Sequence, residues 1–219
     1  MRDRPRAAHK FPSIYSEIER YYTEKALRHV PTALGVDWSC VPTQELRFVQ
    51  LLRVCDFDGP LSINDLGCGY GGLLAFLAMR FRGKPVDYLG IDLSPAMISQ
   101  AHQLWAKRPQ TKFAVGSTLP RVADYTIASG IFNVKLHQPV ALWAQYVQTT
   151  LAQMHDCSKR GFAVNFLAPP TANVKCVPEL YRAAPDTWRD YCIQAFGAHV
   201  TVLADYGMPE YTLLVHIPP

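Results

Sequence analysis

Asn64-Asp65-Leu66-Gly67-Cys68-Gly69-Tyr70-Gly71-Gly72 closes one short apolar run, opens another, and is followed by an extended run ending in Gly90-Ile91-Asp92. A strand that stops in a glycine-dense turn, a helix leaving that turn, and a second strand with an acid at its tip form the arrangement that grips a nucleoside at the edge of a parallel sheet. Glycine lets main chain approach a ligand where a Cβ would collide, and Gly67 or Gly69 is placed to take positive φ. Function is therefore sought around an adenosine-like ligand.

Outward from this turn the chain alternates. Leu61 to Leu66, Val86 to Ile91, Lys112 to Val115, Tyr125 to Ser129 and Gly161 to Leu167 read as strands. Gly71 to Phe81, Pro95 to Lys107, Val140 to His155 and Asp186 to Phe196 read as helices. Alternation with short connections means βαβ crossovers and a parallel sheet. Two last extended runs, Val200 to Ala204 and Tyr211 to Ile217, are separated by Asp205-Tyr206-Gly207-Met208-Pro209 and read as an antiparallel hairpin. Upstream, Ser13 to His29 carries an amphipathic helical pattern, Thr43 opens a second helix running to about Cys55, and Gly35 to Trp38 reads as a loop.

With 219 residues, 49% of them hydrophobic, the chain can bury a full core, and its length favours one α/β domain with an appendage. The net charge of +4 comes from cations dispersed along the chain apart from a short cluster in Arg2 to Lys10, which argues against a nucleic-acid surface. The six cysteines form neither a CxxC pair nor a disulfide framework, and no apolar run has the length of a signal peptide or a membrane span. A cytoplasmic protein without a metal or a membrane partner is expected. Dimerisation through the helical region or the sheet edge is left open.

The turn Asp65-Leu66-Gly67-Cys68-Gly69-Tyr70-Gly71, the strand end Gly90-Ile91-Asp92-Leu93-Ser94 and the terminal hairpin together resemble the class I S-adenosylmethionine (SAM) methyltransferases. The resemblance implies an α/β, Rossmann-like fold: a mostly parallel seven-stranded sheet, a C-terminal antiparallel hairpin and an N-terminal helical cap. It divides the chain into a cap over residues 1–60 and a SAM-binding catalytic domain over 61–219. It also implies that main-chain groups of Gly67, Cys68 and Gly69 meet the methionine portion of the cofactor and that Asp65 orders the turn near the methionine amine. The alternative for Asp65 is an acid that only satisfies turn N–H groups.

Asp92 sits where a carboxylate accepts hydrogen bonds from both ribose hydroxyls, the competing role being a cap for the helix that starts near Ser94-Pro95. Leu93 and Met97 are read as walls for the adenine, with plain core as the alternative. Where many relatives carry an acid for the adenine amine, this chain has Ser117 followed by Thr118. Ser129-Gly130-Ile131-Phe132-Asn133 follows the fourth strand at the ligand edge of the sheet, and in relatives this segment faces the sulfonium. Asn133 is suited to orienting an amine or carboxylate, or alternatively to capping a turn. Tyr15, Tyr21 and Tyr22, with His29 and Trp38, offer aromatic area for a lid over a cationic sulfonium, although aromatics at helical spacing also build plain core. Gln44 and Arg47 are candidates for the methionine carboxylate, with a surface arginine as the alternative. His137 is the nearest candidate base after the fourth strand, unless it is simply exposed.

SAM carries its own activation, so alignment of a nucleophile and exclusion of water are the main demands on the protein. Three outcomes follow, in this order: methyl transfer to a small-molecule nucleophile, cyclisation of SAM to azetidine-2-carboxylate with release of methylthioadenosine, and a catalytically silent SAM-binding module. No metal-ligand grouping and no Asn-Pro-Pro-Tyr signature of nucleic-acid amino-methylating enzymes is present in the sequence.

Overall fold

Each of the alternating apolar runs becomes a strand of one seven-stranded sheet, in a computed structural model that describes residues 10–28, 41–170 and 177–218. The strands are β1 (Leu61–Leu66), β2 (Val86–Asp92), β3 (Thr111–Val115), β4 (Ala123–Ala128), β5 (Ser158–Leu167), β6 (His199–Leu203) and β7 (Glu210–His216). The helices are α1 (Pro12–Arg28), α2 (Val41–Leu51), α3 (Gly72–Arg80), α4 (Pro95–Trp105), α5 (Val140–Asp156) and α6 (Pro185–Phe196). The second expected helix ends earlier than its apolar spacing indicates, because Leu52–Val54 tightens into a 3-10 turn. The expected loop at Gly35 to Trp38 lies outside the described residues.

Strand order is β3-β2-β1-β4-β5-β7-β6. Neighbours β3 through β5 are parallel, while β7 runs antiparallel to both β5 and β6. The last strand thus inserts between its two predecessors instead of adding at the edge. Burial follows sheet position: β1, β4, β5 and β7 are buried along most of their length, polar Asn64, Asp65, Thr126 and Asn165 included, whereas the edge strands β3 and β6 are more exposed. Helices α2 and α3 pack one hydrophobic cluster with Leu61, Ile63, Tyr125 and Ile127. The other cluster joins α5 and α6 to the sheet and takes in Phe11, Ile14 and Ile18 from the N-terminal region.

The chain leaves β1 toward β2 and later returns on the other side of β1 as β4, so the strand order reverses between β1 and β4. The carboxyl ends of strands flanking such a switch point enclose a crevice. The glycine turn opens into it, and α1 lies across it. Thr23 Oγ1 is 2.7 Å from Ser94 Oγ, Gln138 Nε2 donates to Glu17 Oε2 at 2.7 Å, and Gln100 Nε2 donates to the Ala26 carbonyl at 3.0 Å. Among the described residues, no helix is long and apolar enough to cross a membrane.

Candidate active site

The end of β1 delivers Asp65 and the glycine turn to the crevice together. Gly67 has φ +76° and Gly71 φ +90°, conformations that an L side chain rarely adopts. A Cβ on Gly67 would collide with Ile131 Cγ2, and one on Gly71 would come within 2.6 Å of Trp105 Nε1. The turn is latched to the second strand, because Gly67 N and Cys68 N both donate to the Ile91 carbonyl, at 2.7 and 3.1 Å. Asp92 completes the latch: Gly69 N donates to its Oδ2 at 2.8 Å and Ser94 N to its Oδ1 at 2.9 Å. Ser94, not Asp92, caps α4, accepting from Met97 N at 3.3 Å. Each Asp92 oxygen therefore accepts one main-chain bond and keeps lone-pair capacity for a second.

Asp65 is buried and accepts a short hydrogen bond from the Tyr88 hydroxyl. Burial pushes its carboxyl up to about 7; the Tyr88 bond pulls it down and the nearby Asp92 adds to the rise. Burial also raises Asp92, against the two main-chain donors. The Asp65 carboxyl, held near neutrality at one end of a crevice, is poised to ionise when a cation enters.

These groups line one cavity of about 610 Å³, within the range of roughly 300–1,000 Å³ typical of small-molecule sites. Of the sequence candidates, Tyr15, Tyr22, Gln44, Arg47, Asp65, Gly67, Cys68, Gly69, Asp92, Leu93, Met97, Ser117, Ser129, Gly130 and Asn133 are among its lining residues. Thr118 and His137 are not: both are exposed, Thr118 beyond Ser117 and His137 on the connection before α5. An exposed imidazole off the cavity has no reach to a proton inside it. Trp38 and His29 lie outside the described residues.

Arg47 differs most from expectation. Instead of presenting a free fork to a ligand carboxylate, it is buried, with Nε donating to Glu210 Oε2 at 2.8 Å and a terminal nitrogen donating to the Thr43 carbonyl at 3.2 Å. Glu210, at the start of β7, also accepts from Tyr206 Oη at 3.1 Å and from Asn165 Nδ2 at 3.3 Å. The other end of the Asn165 amide, Oδ1, accepts from Gly130 N at 2.7 Å. A buried carboxylate thus sets the orientation of an amide that holds the loop after β4 at the cavity wall. Glu210 and Asn165 carry no local signature, because their partners are far away in sequence.

Gln44 is likewise engaged, accepting from Tyr70 Oη at 3.2 Å. The lid tyrosines divide: Tyr15 stands edge-on to Tyr146 at 5.8 Å and shares a hydrogen bond with Ser117, while Tyr21 already holds Lys25 Nζ over its ring at 4.6 Å. Burial raises the Tyr22 hydroxyl well above the phenol range, so it remains protonated. Tyr146 and Thr150 on α5 also line the cavity, as do Leu136, Leu167, Val177, Glu179 and Leu180. In sequence the α5 pair reads as one more stretch of amphipathic helix. In the loop after β4, Ser129 Oγ and Asn133 Oδ1 are buried without a hydrogen-bond partner.

A family model described as a methyltransferase domain matches residues 63–161. Rv1506c of Mycobacterium tuberculosis (strain ATCC 25618 / H37Rv), which bears a provisional methyltransferase name, is 40% identical over 164 residues, covering 75% of this chain and 98% of Rv1506c. The fold is shared with magnesium protoporphyrin IX methyltransferase of Synechocystis PCC 6803 with bound SAH, at 15% identity and TM-score 0.65 over 93% of this chain and 99% of that one. It is shared as well with human N-acetylserotonin methyltransferase in complex with SAM, at 14% identity and TM-score 0.63 over 95% of this chain and 60% of that one.

Proposed function

The chain belongs to the class I SAM-dependent methyltransferase family, and from that premise we propose that it methylates a small-molecule nucleophile. The observation that carries the proposal is that one cavity joins the glycine turn and Asp92 to a second end lined by Val134, Leu136, Leu167, Val177, Glu179 and Leu180. A site for one molecule reacting with itself has no need of that second end, so the room favours transfer over cyclisation of SAM.

The residues fit the cofactor. The turn at Gly67 is bare because a Cβ there has no space, Asp92 keeps lone pairs for the ribose hydroxyls, and Asp65 offers negative charge to the methionine ammonium. Bound there, SAM supplies a methyl group on sulfur: the lone pair of the nucleophile forms the new bond as the carbon–sulfur bond breaks, leaving S-adenosylhomocysteine. The rest is positioning. Leu93 and Met97 wall the nucleobase, and Ser117 presents its hydroxyl and main chain near it. Tyr15 and Tyr22 from the N-terminal cap, which we assign to residues 1–60, close the cavity against water and offer ring faces to the sulfonium. Asn133 and Ser129 orient the nucleophile. His137 takes no part as a base, and the proton of the methylated nucleophile is lost to solvent when the cavity opens for product release.

Calorimetry with S-adenosylhomocysteine tests the socket, and mass spectrometry of the protein incubated with SAM and pooled small molecules tests the reaction. Acceptor-dependent S-adenosylhomocysteine is the expected product. Methylthioadenosine with azetidine-2-carboxylate and no acceptor would overturn transfer, and binding without turnover under every pool would leave a silent module.

A further inference from the structure

Resting on the cofactor reading above, we infer that the acceptor carries an ammonium group besides its nucleophile, and that Glu179 selects it. The second end of the cavity is lined by Val134, Leu136, Leu167, Val177, Glu179 and Leu180. All but Glu179 are aliphatic. That one carboxylate therefore sets the charge this end accepts.

Main chain, not side chain, places Glu179. Its carbonyl accepts from Lys135 N at 2.8 Å and from Leu136 N at 3.1 Å, while Tyr181 N donates to the Asn133 carbonyl at 2.9 Å. An isolated antiparallel bridge between Val134 and Leu180 joins the same two segments. The wall is thus held together without the Glu179 side chain. That side chain is half-buried, and among the described residues no hydrogen bond or ion pair engages its carboxylate.

The cations on the elements around it are engaged elsewhere. Lys135 Nζ donates to the Leu136 carbonyl at 3.2 Å and Arg182 Nη1 to the Ala168 carbonyl at 2.8 Å, and neither residue lines the cavity. Arg47 does line it, but its Nε is held by Glu210 at 2.8 Å. With SAM bound, Asp65 meets the ammonium of the cofactor and Asp92 its ribose, which leaves Glu179 without a counter-charge. A carboxylate partly withdrawn from water is stabilised by an ammonium group, whose N–H donors give it a charge-assisted hydrogen bond. An acceptor bearing a carboxylate would meet like charge there instead.

The sulfonium then requires two functions on one acceptor. An amine attacks only as the neutral base, because protonation removes its lone pair, and a sulfonium repels a cation beside it. The ammonium held by Glu179 is accordingly not the nucleophile. A neutral hydroxyl or second amine, set apart from it by an apolar spacer lying against Leu136, Leu167 and Leu180, faces the methyl carbon.

The test uses the full chain saturated with S-adenosylhomocysteine and three phenols that differ in one group: tyramine with an ammonium, tyrosol with a neutral hydroxyl, and 4-hydroxyphenylacetate with a carboxylate. Ligand-observed NMR titration gives their affinities in low and high salt. Tyramine is expected to bind at least about fivefold tighter than tyrosol, a ratio between those of an exposed ion pair and a charged hydrogen bond, with 4-hydroxyphenylacetate the weakest. Added salt should narrow the gap. Glu179→Gln should bring tyramine level with tyrosol while S-adenosylhomocysteine affinity and the unfolding midpoint stay at the parent's values. Glu179→Lys should make 4-hydroxyphenylacetate the tightest of the three. These readouts separate selection of charge from support of the wall. Tyrosol or 4-hydroxyphenylacetate binding as tightly as tyramine, a preference that survives Glu179→Gln, or binding of none of the three to the loaded protein would overturn the inference. Failure of S-adenosylhomocysteine itself to bind would refute the cofactor reading, and this inference with it, a result distinct from all of these.

Discussion

Replacing Glu210 with Gln removes one charge from the buried pair that anchors the cavity wall while keeping the side chain's size. The Glu210 side chain is 0% exposed and that of Arg47 7%, with 2.8 Å between Nε and Oε2. A glutamine oxygen can still accept from Arg47, and its amide nitrogen can still donate to Tyr206 Oη, so the change isolates charge from shape. What remains is a guanidinium buried without its counter-ion, a situation that costs about 3–5 kcal/mol when one partner of such a pair is removed. Because glutamine retains an acceptor, the lower figure applies. For a chain of this size, about 3 kcal/mol lowers the unfolding midpoint by roughly 6–12 °C.

Thermal and urea unfolding followed by far-UV circular dichroism would measure the loss. A double-mutant cycle with Arg47→Met and Glu210→Leu then apportions it. The pair of apolar replacements should recover at least half of what Glu210→Gln loses, since neither charge is then left buried. A Glu210→Gln midpoint within about 1 °C of the parent, or a cycle with no coupling, would show that the two groups do not share a buried site and refute the reasoning. Glu210→Leu, which removes the acceptor of Asn165 Nδ2 altogether, should weaken S-adenosylhomocysteine binding more than Glu210→Gln does, because the Asn165 amide then loses the group that orients it toward Gly130 N.

Asp92→Ala should weaken S-adenosylhomocysteine binding by about 10- to 100-fold, the range set by about 1.5–3 kcal/mol for hydrogen bonds to a charged group; calorimetry giving unchanged affinity would reject its ribose role. The Asp65 carboxyl is raised from 3.8 to about 7 in the folded state. Its neutral form is therefore the stabilised one, so its contribution to stability is full below the unfolded value and is lost as pH rises from about 4 through 7. A cationic ligand reverses the preference, so SAM affinity should rise up to about pH 7, with proton release on binding at pH 6 detectable by calorimetry in buffers of different ionisation enthalpy. Gly67→Ala meets both a positive φ and Ile131, and should cost about 1–3 kcal/mol in urea unfolding. Adding Ile131→Ala should relieve only the steric share. His137→Ala should change neither turnover nor stability beyond about 0.5 kcal/mol, as befits an exposed side chain away from the cavity.

The local elements were legible because their causes are local. Turn glycines, the Ser94-Pro95 helix start and alternating apolar runs each act within a few residues, and the observed strands and helices follow them to within a residue or two at most ends. Asp65, Asp92 and the loop after β4 could be picked out for the same reason: each sits at the tip of a strand whose direction the alternation determines.

By itself, then, the sequence determined which segments are strands and helices, that the sheet is mostly parallel, and that the glycine turn and Asp92 meet at one end of the sheet, where a cavity lies. Tertiary structure alone decided that β7 inserts between β5 and β6 and that Arg47 is committed to Glu210, 163 positions away. It also decided that His137 faces outward and that the Asn133 amide oxygen is buried without a partner. Backbone periodicity and turn chemistry are properties of neighbours along the chain. A buried charge pair or an unsatisfied acceptor is a property of neighbours in space, and residue type alone does not say which distant group arrives beside it.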